Sequence, residues 1–312
     1  MMAAIDEVRA ARATLAGLAH DRHPQLVELI ATDGPLDALA RLADRNLPSA
    51  LLRVLPDGAT GGHLREQAAA VPRQAARAGA RVVIPQDDEW PARLPDLATA
   101  PGRGAVLCLW VRSNPPHTVS DVLGRAVAVV GARAATSYGM HVAGQLGADL
   151  AGAGWSVVST GGLGVDAAAL RGALAAGGTA VAVLPSGVDR PHPHANTDLL
   201  EQVAREGMLV SPWPPATRLT RARYIATAAL VAALTAGTVL VEAGGRSRAL
   251  TVVRHAIELG RPTMVVPGPV TSVLSDGAHQ TLRAHSQARL VRGSTDVLAD
   301  LTTPPTATSP AA

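Results

Sequence analysis

Between Ala126 and Asp166 the chain reads AVAVVGARAATSYGMHVAGQLGADLAGAGWSVVSTGGLGVD. An apolar strand predicted over 126–130 runs into Gly131-Ala132-Arg133. A second, over 155–159, runs into Thr160-Gly161-Gly162-Leu163-Gly164, with a helix between the two. Strand, glycine turn and helix in that order gather backbone N–H groups and a helix N-terminus, an arrangement suited to phosphate. Arg133 adds a guanidinium that can pair with a phosphodiester. Ser159 and Thr160 can donate to phosphate or satisfy the strand end. Asp166, which opens a helix after Gly164, reads equally as an N-cap or a ligand contact. The glycines do not follow the G-x-G-x-x-G spacing, and no Walker lysine follows either turn, so neither a dinucleotide nor a P-loop fingerprint is present.

Other chemistries have less behind them. All 28 basic residues are arginine, so lysine nucleophiles and Schiff bases are excluded. Cys108 is the single cysteine, which rules out an intramolecular disulfide and leaves a zinc site to His or carboxylate ligands. His192 and His194 lie in Pro191-His-Pro-His-Ala-Asn196 with no third ligand at hand, which favours a proline-bounded loop, tied by Asp189 and Asn196, over a metal pair. Glu242 ends a strand and could act as a base, but local spacing fixes no partner beside it. Ser186 sits in Pro-Ser-Gly, outside a nucleophile elbow. The expectation is therefore no catalytic residue, no metal and no cofactor.

The elements that must position these residues follow from the pattern of the chain. Continuous apolar runs predict strands at 126–130, 155–159, 179–184, 207–210, 238–242, 263–266 and 289–291. Helices are expected over 139–153, 165–177, 197–206, 246–260 and 276–285. Such alternation, with strands apolar throughout, argues an α/β fold with a doubly wound, mostly parallel sheet. Upstream, 3–75 reads as an alanine-rich helical bundle broken at Asp33-Gly34-Pro35 and Pro56-Asp57-Gly58. Short strands are expected at 81–84 and 105–111, with a turn at 87–91 and a loop at 113–116. The expected division is a helical domain over 1–80, a sheet domain over 81–301 and a disordered tail over 302–312. The uncharged run 224–241 approaches the length of a membrane span. Alanine and threonine dilute its first half and Gly237 breaks it, so it is read as a core helix followed by a strand. The N-terminus carries charge from Asp6 onward with no apolar signal region, which places the protein in the cytoplasm. A net charge of +3 and a pI near 9.9 permit an anionic partner without demanding one.

At this point the chain resembles the DprA/Smf family of bacterial DNA-processing proteins. The resemblance runs from about Leu26 to Leu301. It rests on DDEWPARLPDL (87–97), LCLWVR (107–112), VAVVGARAATSYG (127–139), STGGLGVDAAALRGAL (159–174), VAVLPSGVDRPHPHAN (181–196), LVSPWPP (209–215), LVEAGGRSRAL (240–250) and VVPGPVTSVLSDGAHQTLR (265–283). Each piece alone is weak, but the order and spacing are specific. The resemblance implies an extended Rossmann-like domain preceded by a SAM-like helical one. It also implies single-stranded DNA binding in natural transformation, a homodimer, loading of the RecA recombinase, no membrane partner and no enzymatic activity. The family's Gly-Ser-Arg turn falls on Gly131, Ala132 and Arg133, its Gly-Ile-Asp turn on Gly164, Val165 and Asp166, and its Arg-Gly-Ala-Leu helix on Arg171 to Leu174.

The departures are chemical. The family's arginine-asparagine-arginine motif falls on Thr227, Ala228 and Ala229, which removes two cations. Its histidine before Arg171 is Leu170, and its Arg-Ser-Gly is Arg246-Ser247-Arg248, which adds a cation. The expected phosphate-binding set is Gly131, Ala132, Arg133, Ser159, Thr160, Gly161, Gly164, Asp166, Arg171, Arg223, Arg246 and Arg248, with Trp213 or Tyr224 as a stacking surface. Two alternatives stand beside it. One is a phosphoribohydrolase-like nucleotide-processing enzyme, whose Pro-Gly-Gly-x-Gly-Thr signature is absent. The other is a homologue that keeps only a protein-interaction role.

Overall fold

The computed structural model describes residues 2–18, 24–53, 55, 59–99, 104–114 and 117–302. The chain opens with helices α1 (Met2–Leu18), α2 (Pro24–Ala43), α3 (Ser49–Leu52) and α4 (Gly61–Arg77). Strand β1 (Arg81–Val83), helix α5 (Asp96–Thr99), strand β2 (Leu109–Ser113) and helix α6 (Val119–Gly124) follow. The alternating part comprises β3 (Ala126–Val130), α7 (Ser137–Gly152), β4 (Ser156–Ser159), α8 (Val165–Ala175), β5 (Ala180–Val183), α9 (Thr197–Glu206) and β6 (Met208–Ser211). It continues with α10 (Arg221–Leu234), β7 (Thr238–Leu240), α11 (Ala249–Glu258), β8 (Thr263–Val265), α12 (Asp276–Ala284), β9 (Ala288–Leu290) and α13 (Ser294–Thr302). The strands hydrogen-bond in the order β1-β2-β6-β5-β4-β3-β7-β8-β9. The fold is α/β with a mostly parallel sheet, as the sequence pattern predicts.

Two compact units make up the chain: 1–124 with 182–227, and 125–181 with 228–312. In the first, α1 packs against α2 and α4. The break expected at Asp33-Gly34-Pro35 is a kink within α2, where Gly34 takes φ 82°; the turn expected at 56–58 lies outside the described residues. Strand β2 pairs antiparallel with both β1 and β6. It begins at Leu109 rather than at Ala105. Leu107 and Cys108 are buried, so their apolar character reflects burial without strand pairing. Arg81 clamps Glu89 with Nε to Oε1 at 3.0 Å and Nη2 to Oε2 at 2.9 Å, which fixes the acidic turn at 87–91.

In the second unit β3 lies between β4 and β7, and β7 continues to β8 and β9, all parallel. Every residue of β3, β4, β7 and β8 is buried, which explains the apolar run of β3 and the apolar residues that dominate the others beside buried Ser156, Ser159, Thr238 and Thr263. Strand order reverses at β3, and in open α/β sheets the crevice beyond the strand C-termini at such a reversal is where ligands settle. The uncharged run 224–241 divides into α10 and β7. No helix among the described residues is long and apolar enough to cross a membrane. Helix α13 covers 294–302, where the sequence pattern predicts no helix. The expected tail begins at its last residue, and 303–312 lie outside the described residues.

Candidate nucleic-acid interface

The β3–β7 crevice is built by two chain ends. Beyond β3, Gly131-Ala132-Arg133 leads to Thr136, the N-cap of α7, whose side chain accepts the Gly139 N–H at 3.1 Å. Beyond β7, Glu242 is 4% exposed and points at that same helix end. Its Oε2 accepts the Thr136 N–H at 2.9 Å and its Oε1 accepts the Thr136 hydroxyl at 2.6 Å. The Glu242 carbonyl takes the Ala132 N–H at 2.6 Å. An endogenous carboxylate thus sits where a helix N-terminus would draw an anion. Gly139 makes room for it, since a Cβ there would fall 2.2 Å from Glu242 Oε2.

The second turn is filled in the same way. Asp166, 5% exposed in the first turn of α8, accepts the Thr160 hydroxyl in a short hydrogen bond and the Gly162 N–H at 3.3 Å. Ser159 donates to the Val129 carbonyl at 2.8 Å, tying β4 to β3. The two turns meet at Gly164. Its φ of 71° lies in the left-handed region, and a Cβ there would fall 2.2 Å from the Ala132 carbonyl oxygen. The neighbouring Val165 N–H donates to that oxygen at 3.1 Å.

Burial pushes the Asp166 carboxyl up from its ordinary 3.8, against the hydrogen bonds from Thr160 and Gly162 that pull it down. A raised native value means that the folded protein binds the proton more tightly than the unfolded chain. Stability from this group therefore falls as pH rises from 3.8 through the raised value. The Asp166→Asn variant should lose that component. Thermal melts from pH 4 to pH 7 should show the wild type declining relative to the variant as pH rises. Parallel stability curves would rule out this origin.

Arg133, Arg171, Arg246 and Arg248 are exposed, all within the second unit. Arg246 lies within the turn closed by Ser247 N–H to the Gly244 carbonyl at 2.9 Å, and Arg248, just after it, is the N-cap of α11. Arg223 belongs to the first unit. It donates from Nη1 to the Arg218 carbonyl at 2.6 Å and lies 5.4 Å over the Trp213 ring. Trp213 is 5% exposed beneath that guanidinium, so the stacking surface suggested for it is not available; Tyr224 is half-buried. Thr227, Ala228 and Ala229 are each 1% exposed within α10, where the resemblance would place a cationic motif.

Sequence reasoning missed the roles of Thr136 and Glu242. Thr136, three residues before Gly139 and just ahead of a periodic run, carries an N-cap signal that could have been found. The partner 106 residues downstream carries no local signal. His192 and His194 sit edge-on, ring centroids 6.0 Å apart, and among the described residues no three His, Cys, Asp or Glu gather as metal ligands.

Comparison with known proteins bears on the whole chain. Residues 81–302 match the family model described as DNA recombination-mediator protein A. A putative DNA processing protein DprA of Mycobacterium tuberculosis (strain H37Rv) is 39% identical over 303 residues, spanning 94% of this chain and 75% of that one. DNA processing protein DprA of Streptococcus pneumoniae (strain R6) is 33% identical over 176 residues, 56% of this chain and 61% of that one. The X-ray structure of the Streptococcus pneumoniae protein superposes with a TM-score of 0.74 at 24% identity, covering 96% of this chain and 99% of that one. A structure of DNA processing protein A from Helicobacter pylori, described for its single-stranded DNA binding mode, gives 0.60 at 22% identity over 72% and 97%. With the model covering most of the chain and a relative this similar over nearly all of it, the chain belongs to the DprA/Smf family of DNA-processing proteins.

Proposed function

We propose that this protein binds single-stranded DNA through a cationic rim on the second unit, with Arg133, Arg246 and Arg248 as its principal phosphate contacts. The observation that carries the reading is that Glu242 and Asp166 fill the anion-attracting interiors of the two turns. A polyanion then has to be met by the exposed guanidinium groups around them. Gly131, Ala132, Ser159, Thr160, Gly161 and Gly164 act as the rigid frame that aims Arg133, and Asp166 fixes that frame. Arg171 on α8 and Arg223 in the first unit are the further cations assigned to the strand backbone. A single strand bound at this rim is the substrate of a recombination mediator. The reading therefore includes protection of incoming strands in transformation, loading of the RecA recombinase, a homodimer and a cytoplasmic location. Division into a helical module over 1–80 and a sheet domain over 81–301 belongs to it too, and the family match beginning at residue 81 supports it.

No cofactor is required for this role and no reaction is assigned. The strand-end glutamate that a nucleotide hydrolase would use as its base is spent on the α7 N-terminus, which argues against the enzymatic alternative. The test is Arg133→Ala with labelled single-stranded oligonucleotide. Removing this one exposed charge should weaken binding by about 1 kcal/mol, roughly fivefold, with the melting curve unchanged. Equal affinity in a folded variant removes Arg133 from the rim. No strand binding by the wild type itself, with partner binding intact, favours the protein-interaction reading.

A further inference from the structure

A groove of about 610 Å³ opens in the first unit, wholly within the segment 186–219. Arg190 and Arg218 are exposed on its walls, and among the described residues neither guanidinium is ion-paired. His192 and His194 bring two imidazoles to the same wall. Two carboxylates also line it, and both are already committed. Glu201 is held by Arg112 at 2.9 Å from Nη1, with a second bond from Nη2, and that pairing keeps its carboxyl below the usual range. Both oxygens of Asp189 accept the Ala216 N–H at 2.9 Å, which ties the loop after β5 to the loop after β6. The groove therefore offers two free forked cations and two ionisable imidazoles, against one carboxylate not offset by a cation. Its volume exceeds that of a simple inorganic ion.

We propose that this groove is a second anion site, separate from the rim, that takes a phosphate monoester carried on a nucleoside-sized body. A dianion with three oxygens suits two guanidinium forks and adjacent imidazole N–H donors better than a phosphodiester, which carries one charge and fewer free oxygens. The same chemistry exists on a free nucleoside monophosphate and on the 5′-phosphate end of a strand.

The experiment uses the full chain. Adenosine monophosphate is titrated by calorimetry and thermal shift beside adenosine as the uncharged control. A 5′-phosphorylated oligonucleotide is compared with its 5′-hydroxyl twin. The monophosphate should bind and raise the melting temperature where adenosine does not. The Arg190→Gln/Arg218→Gln double variant should lose at least about tenfold in monophosphate affinity, while Arg133→Ala leaves it unchanged. If the strand end is the source, the phosphorylated oligonucleotide binds tighter than its twin and the difference disappears in the double variant. If the free nucleotide is the source, the two oligonucleotides bind alike. The proposal is overturned if wild-type protein binds neither monophosphate nor strand 5′-phosphate in preference to the hydroxyl forms. It is also overturned if a folded double variant binds both as wild type does.

Discussion

The triple variant Thr227→Arg, Ala228→Asn, Ala229→Arg should fail to fold. It restores the motif that the family resemblance places at these positions, and in an exposed segment it would add two phosphate contacts and steepen the salt dependence of binding. Each of the three residues is instead 1% exposed, in a helix whose next residues, Leu230 to Leu234, are no more exposed. Two guanidinium groups and an amide would enter apolar surroundings without partners, at several kcal/mol for each charge. A domain's whole stability is about 5–15 kcal/mol. Circular dichroism melts should show no cooperative native transition. A folded variant with tighter strand binding would contradict the buried placement of α10 and would mean that this face meets DNA.

Gly164→Ala should be the most damaging small substitution near the rim. The residue holds φ 71° and ψ −126°, and a left-handed φ costs a β-carbon about 1–2 kcal/mol. The added atom would also fall 2.2 Å from the Ala132 carbonyl oxygen and 2.5 Å from that of Arg133, both backbone. Relief requires the two turns to part, which breaks the Val165 N–H bond to Ala132 and swings Arg133 away. Urea denaturation should show a loss of about 3 kcal/mol or more, accompanied by weakened strand binding. Gly152→Ala is the control, since nothing lies within 4 Å of a Cβ there. Equal stability of Gly164→Ala and wild type would mean that the turns are not apposed as described.

The sheet was legible because its strands are buried on both faces, and a short run such as Ala126–Val130 has few other readings. Helix α7 was legible from its glycine-bounded alternation with the strands. Elements that depend on distant partners were not. Residues 105–108 are as apolar as a strand, yet only 109–113 find β1 and β6 to pair with. At the site, the sequence correctly placed Gly131 to Arg133 at a strand end and Gly164 to Asp166 at the start of a helix. It left Asp166 open between an N-cap and a ligand contact, and it could not reveal that Glu242 occupies the α7 anion position, because that depends on which strand neighbours β3. Trp213 was expected to be a possible stacking surface, which its burial under a neighbouring guanidinium prevents. Arg223, ten residues on, covers it.

The most direct test of the account is a titration of the full protein with a labelled single-stranded oligonucleotide, beside the matched duplex, across a range of salt. Binding by a rim of arginines releases counterions, so the log of affinity should fall linearly with the log of salt, at about 0.7 per phosphate contact. Arg133, Arg246 and Arg248 give a slope of about 2, which rises to about 3.5 with Arg171 and Arg223 also on phosphates, and Arg133→Ala should lower it by about 0.7, with the single strand bound more tightly than the duplex throughout. A folded protein that shows no strand binding at low salt, or binding indifferent to salt, would contradict the account.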